Sequence, residues 1–176
     1  MNMAYTLGVI VGILVGVIFI AVFVRWTKTD GKVRCKWDER QLLIRGNGYK
    51  YAFFTVIILL FLYVLLGESI VGFPMNYQAT SFCIIVLGVA VDVVYCIWKG
   101  AYFSLNENRK RVLILFAVIG VFNMAIGIRN IMSGDALTDG VLNADSMNLF
   151  CGLLFVIIFL TLLFRMVIPD RELSEE

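Results

Sequence analysis

The chain has 176 residues, of which 61% are hydrophobic and only 16% are charged, and its mean hydropathy is +0.90. A soluble domain usually carries about 25% charged residues. This composition excludes an ordinary soluble globular protein and favours one that is embedded in a lipid bilayer. The net charge is +2, and we expect no nucleic-acid partner.

Five apolar stretches follow one another along the chain. Each is about 17 to 22 residues long, and about 20 apolar residues in a helix cross the roughly 30 Å hydrocarbon core of a bilayer. The connections are too short to hold another folded domain, so residues 1–176 are predicted to form one all-α, polytopic transmembrane helical bundle. The predicted spans are 4–24, 51–67, 79–98, 112–132 and 147–168, with cytoplasmic loops at 25–50 and 99–111.

The basic residues indicate the orientation of these spans. Every Lys and Arg except Arg129 lies in loop 25–50, in loop 99–111 or at positions 165 and 171. Short cationic loops stay in the cytoplasm. The pattern predicts an N-terminus outside, a C-terminus in the cytoplasm, and a multi-pass protein of a bacterial-type plasma membrane. The connection between the fourth and fifth spans, by contrast, holds only acidic charges, at Asp135, Asp139 and Asp145.

The first span carries Gly8, Gly12 and Gly16 at intervals of four residues. This spacing places three positions without side chains on one helix face, where another helix backbone can approach closely. The face could pack the first helix onto its own bundle, or it could form a dimer. No basic residue precedes this apolar run, which is longer than the about 7 to 15 residues of a signal peptide core. We therefore expect a retained span.

The first cytoplasmic loop contains the most distinctive polar segment. Acidic residues at its start are predicted to begin a short helix along the inner leaflet, with arginines that reach the lipid phosphates. The dipeptide Asn47-Gly48 is predicted to break this helix before the second span. The segment could anchor the loop to lipid, or it could be a docking site for another protein. Its residues are Trp37, Asp38, Glu39, Arg40, Gln41 and Arg45.

The same segment continues into an aromatic run that enters the second span. The order Asp-Glu-Arg-Gln from Asp38, then Arg45-Gly46, then the aromatic residues up to Phe54 resembles a juxtamembrane pattern of small multi-span membrane proteins of Gram-positive bacteria. The resemblance covers 38–54, and the chain departs from the pattern at Asn47-Gly48. It implies a bacterial membrane protein and attaches no activity to the segment.

Four polar residues lie within or at the ends of the spans, where polar groups often carry function because they are costly in hydrocarbon. Asp92, near the cytoplasmic end of the third span, could be a structural hydrogen-bonding group or a proton or cation site. Asn123, near the middle of the fourth span, is the expected hydrogen-bonding partner between helices. Glu68 and Arg129 lie at similar depth near the outer face and could pair.

The sequence offers little for catalysis. The chain has no histidine, which removes the usual general base and the commonest metal ligand. We expect neither an enzyme nor a cofactor or metal site. Cys83 and Cys151 lie at similar depth and could form a disulfide if their spans are neighbours, but free buried thiols are the preferred interpretation.

These patterns predict a non-enzymatic integral membrane protein with an accessory or regulatory role. It would act by association in the membrane with another protein or with a second copy of itself. The alternative is a small transporter or channel subunit that uses Asp92 and Asn123.

Overall fold

Five long α-helices make up most of the molecule, and each is long and apolar enough to cross a membrane. The computed structural model describes residues 3–32, 34–66 and 74–167. This confirms the prediction of an all-α, multi-pass membrane protein with five spans. The helices are α1 Met3–Thr27, α2 Glu39–Leu66, α3 Tyr77–Trp98, α4 Arg109–Ser133 and α5 Met147–Val167.

The two ends of the bundle differ in charge. We call the end that carries connections 28–38 and 99–108 the basic end, and the end that carries connection 134–146 the acidic end. At the acidic end a hairpin pairs β1 Leu137–Thr138 with β2 Val141–Leu142. Asp139 and Gly140 turn the hairpin with φ of 53° and 79°, as a two-residue turn between antiparallel strands requires. A short 3₁₀ turn, Ala144–Ser146, then leads into α5.

The helices pack in the order α2, α3, α5, α4 and α1, so α1 and α2 lie at the two ends of the row. The central pair, α4 and α5, approach each other closely through glycines. A Cβ on Gly127 would lie 2.6 Å from the backbone nitrogen of Leu149, and a Cβ on Gly152 would lie 2.8 Å from that of Met124. In lipid the burial of apolar side chains does not drive helices together, so helix association depends on close packing, which small residues allow.

Helix α2 begins earlier than its predicted span. Asp38 caps it: its carboxylate accepts a hydrogen bond from the Gln41 backbone N–H at 2.6 Å, while the Gln41 side-chain oxygen accepts from the Asp38 backbone N–H at 3.2 Å. This reciprocal arrangement is a capping box. At 28 residues, or about 42 Å, the helix is longer than a hydrocarbon core, so its first turns extend beyond it.

The prediction of a separate short helix that ends at Asn47-Gly48 is wrong, because α2 runs through both residues without a break. Gly48 is buried where α2 crosses α3, and a Cβ there would overlap the Asp92 side chain. The glycine therefore lets two helices approach closely, and this packing compensates for its low helix propensity.

Candidate functional site

The predicted polar residue Asp92 lies at the contact between α2 and α3. It is half-buried, and the Cys96 thiol donates a hydrogen bond of 3.4 Å to its carboxylate. On the same contact the rings of Tyr51 and Tyr95 meet edge to face, with centroids 5.1 Å apart. With Gly48 directly against it, Asp92 occupies a helix-packing position.

The other predicted polar residues do not gather around Asp92. Asn123 donates a hydrogen bond of 2.9 Å to the Ile119 carbonyl of its own helix, one turn earlier. No hydrogen bond joins Asn123 to Asp92 in the part of the chain that the structure describes. Arg129 is exposed on α4. Glu68 lies outside the described residues, so its pairing with Arg129 stays a prediction.

The predicted glycine face of α1, formed by Gly8, Gly12 and Gly16, meets no other part of the described chain. A Cβ on any of the three would find no described atom within 4 Å. The contacts of α1 with the bundle are mainly with α4, and the rest of the helix is largely exposed. Close packing of this face on the chain's own bundle is not found, and dimerisation through it stays a prediction.

Part of the predicted docking segment binds the loop that follows α3. The Arg40 guanidinium donates a hydrogen bond of 3.0 Å to the Lys99 carbonyl. The buried Gln41 side chain donates one of 3.1 Å to the Phe103 carbonyl. Glu39 is exposed. These bonds hold the start of α2 against the loop that follows α3, so the segment has a structural role inside the chain.

Arg45, the last residue of that segment, has a different environment. Its guanidinium lies over the Trp37 ring, 4.1 Å from the ring centroid, and donates a hydrogen bond of 2.8 Å to the Tyr49 hydroxyl. It forms no ion pair with any residue that the structure describes. Arg45 is therefore a positive charge that is held in place by aromatic groups and lacks a carboxylate.

The basic end contains a buried ionic cluster that was not predicted from the sequence. The Lys28 side chain is fully buried, and its ammonium lies 2.7 Å from a Glu107 carboxylate oxygen. The same ammonium donates hydrogen bonds of 2.9 Å to the Ser104 hydroxyl and 3.0 Å to the Cys35 sulfur. We call these four residues the Lys28 cluster. Lys28 and Glu107 are 79 positions apart, and no local sequence pattern marks such a distant pair.

Asn106 joins the two loops beside the Lys28 cluster. Its amide nitrogen donates to the Asp30 carboxylate at 3.1 Å and to the Arg34 carbonyl at 3.0 Å. Its amide oxygen accepts from the Lys36 backbone N–H at 3.1 Å. A hydrogen bond from the Lys32 backbone N–H, followed by that from Asn106, lowers the pKa of Asp30. The basic end is thus an ordered polar structure.

A serine beside a lysine can act as a nucleophile with its general base, but Ser104 and Lys28 are not in the state that this requires. Burial opposes the charge on Lys28, yet its hydrogen bonds to Cys35 and Glu107 and the Glu107 charge outweigh burial and raise its pKa above 10.5. A general base must be unprotonated near the working pH. Ser104 is itself buried and donates to the Asn106 amide oxygen at 3.0 Å. The arrangement is therefore suited to joining loops.

A cavity of about 410 Å³ opens beside the Lys28 cluster, between α1 and α4. Apolar side chains of both helices line it, and so does Tyr102. Burial raises the pKa of the Tyr102 phenol. Glu107 and Arg45 stand at the polar end of the cavity. Its volume lies in the range of small-molecule sites, about 300–1,000 Å³.

Cys83 and Cys151 are both free thiols. Within residues 3–32, 34–66 and 74–167, no three His, Cys, Asp or Glu side chains are grouped so as to hold a metal ion. Comparison of the chain with protein-family models, with curated proteins and with solved structures finds no match.

Proposed function

We propose that this chain is a non-enzymatic accessory or regulatory protein of a bacterial plasma membrane, which acts by association with another membrane protein or with a second copy of itself. In this proposal the basic end faces the cytoplasm, as the distribution of Lys and Arg favours, and α1 is the associating helix.

The observation that carries the proposal is the way α1 is attached. Its last turn is tied to the loop after α3: the Asn108 backbone N–H donates to the Thr27 carbonyl at 2.9 Å, and the Thr29 backbone N–H donates to the Asn106 carbonyl at 2.9 Å. The rest of α1 extends along the bundle with few contacts to it. One helix is thus anchored at one end and available to a partner along most of its length.

Exposed apolar side chains alone do not require a partner in a membrane, because lipid tails are as apolar as Leu. The glycine face is different. At Gly8, Gly12 and Gly16 the α1 backbone is open to close approach, and a second helix packed there gains van der Waals contacts that lipid chains fill less well. This favours protein association over a purely lipid-facing helix.

Photo-cross-linking in native membranes tests the proposal. Phe19 and Ala21 are both exposed on α1 and differ by only about 3 Å in depth, but two residues are about 200° of rotation, so they face opposite directions. Phe19 lies close to the face of Gly12, seven residues away. We expect benzoylphenylalanine at position 19 to form protein adducts and the same residue at position 21 to form none.

A second substitution tests whether the adduct forms through the glycine face. Gly12→Ile should abolish the adduct at position 19, whereas Ala21→Ile, a similar increase in volume on the opposite face, should leave it unchanged. An adduct of twice the chain's mass indicates self-association, and any other mass indicates a different partner. Equal adducts from both positions, or none from position 19, would refute the proposal.

The transporter alternative has less support. Asp92 contacts Gly48 and Cys96, whereas Asn123 bonds to its own helix. The two side chains that this alternative would use are not hydrogen-bonded to each other in the described part of the chain.

A further inference from the structure

The cavity at the basic end has apolar walls and a polar end. Ile20 and Phe23 of α1 line one wall, and Leu115 and Ile119 of α4 line the other. On α4 the lining runs from Val112 to Ile119, which is seven residues or about 10 Å of helix. This is about two-thirds of one leaflet of a roughly 30 Å hydrocarbon core.

The polar end of the cavity has a net positive charge. Lys28 and Glu107 form a 2.7 Å ion pair and compensate each other. Arg45 has no carboxylate partner in the described chain, and Trp37 and Tyr49 hold its guanidinium in place. Trp and Tyr side chains are typical of the headgroup level of a membrane. An arginine at this level binds phosphate well, because its planar group donates several hydrogen bonds.

These two ends match the two parts of one ligand. An apolar slot of this depth suits the part of an acyl chain next to the headgroup, and a fixed guanidinium at headgroup level suits a phosphate. The excess of Lys and Arg at the basic end favours a lipid with net negative charge. We propose that the cavity binds one anionic phospholipid of the adjacent leaflet, with an acyl chain between α1 and α4 and its phosphate on Arg45. This site does not depend on association through α1.

Native mass spectrometry of the purified full-length chain in detergent, with added phosphatidylglycerol or phosphatidylcholine, tests the site. Wild type should retain one phosphatidylglycerol in preference to phosphatidylcholine. Arg45→Gln should weaken phosphatidylglycerol binding at least about fivefold, the effect of one basic group near a membrane surface. Lys50→Gln removes an exposed charge from the same helix and should leave binding unchanged.

The acyl-chain part of the site has its own pair of variants. Leu115→Trp would fill the cavity and should abolish lipid retention. Val118→Trp places the same side chain on the exposed face of α4, where Val118 is 62% exposed, and should bind as wild type does. This pair decides the question even if Arg45→Gln fails to fold.

Four outcomes would overturn the proposal. Equal retention of the two lipids by wild type would mean an unspecific lipid shell. Unchanged binding in Arg45→Gln, or an equal loss in Lys50→Gln, would remove the role of Arg45 at the headgroup. Equal behaviour of Leu115→Trp and Val118→Trp would remove the acyl-chain cavity.

Discussion

Substitution of Glu107 by Gln should destabilise the protein strongly, because it leaves the Lys28 ammonium buried without a counter-charge. The Lys28 side chain has no exposed surface and Glu107 keeps 18% of its own. Removal of one partner from a buried pair costs about 3–5 kcal/mol. Lys28 could instead lose its proton, and from an ordinary pKa of 10.5 this costs about 4 kcal/mol at pH 7.5. The expected loss is therefore about 3–4 kcal/mol.

Reversible unfolding by dodecyl sulfate in mixed micelles, followed by circular dichroism at pH 7.5, measures this loss. The double variant Lys28→Met/Glu107→Gln should recover most of the stability, since replacement of both charges removes the uncompensated ammonium. Lys36→Met is the matched control in the same loop. It breaks the 3.4 Å pair with Asp30, in which Lys36 is 62% exposed, and should have only a small effect.

The pH dependence of the stability gives an independent check that the fold stabilises the charged form of Lys28. The pKa of Lys28 is raised, so its contribution to stability is complete below pH 10.5 and is lost only as the pH rises through its value in the folded protein. The contribution of Lys28 to the stability of the wild type should therefore stay constant from neutral pH up to about pH 9. In Glu107→Gln, where Lys28 can fold without its proton, the difference from wild type should not grow over this range and should shrink by at most about 1.4 kcal/mol per pH unit. A difference below about 0.5 kcal/mol at pH 7.5, within ordinary surface effects, would refute the buried-pair argument.

Three further predictions follow from the helix contacts and the charged ends. Gly127→Val should destabilise the bundle by at least about 1–3 kcal/mol in the same assay, because its Cβ would meet the Leu149 backbone. Gly46 lies in open space on α2, so Gly46→Ala should leave the stability unchanged or raise it by about 0.5–1 kcal/mol. A larger loss of stability in Gly46→Ala than in Gly127→Val would contradict the packing of α4 on α5. Asp92→Asn should preserve folding and leave proton flux into dye-loaded vesicles unchanged, whereas a wild-type proton leak that the variant lacks would identify a proton site. A cysteine at Lys36, in a chain without its native cysteines, should react with an impermeant maleimide only after the cells are opened, and labelling of intact cells would reverse the orientation.

Much of the architecture could be predicted from composition along the chain. Each span must satisfy its own backbone hydrogen bonds in lipid, so a long apolar run can only be a helix. That rule is local, and it predicted the five long helices that the structure contains. The distribution of charge is also read directly along the chain, and it separates the basic residues, except Arg129, from the predicted outer connections. The start of a helix at Asp38 was also predictable, because a capping box depends on residues three positions apart.

The sequence determined the spans and the segregation of charge, whereas only the tertiary structure decided which helices and side chains meet. Gly48 was expected to break a helix, but its contact with Asp92 keeps α2 continuous. Gly8, Gly12 and Gly16 have the spacing of a packing face and yet meet no described part of the chain. Lys28 belongs to a loop rich in charged residues, yet its side chain is buried against Glu107. Helix pairing and buried ion pairs depend on residues far apart in sequence, so local periodicity and hydropathy carry no information about them.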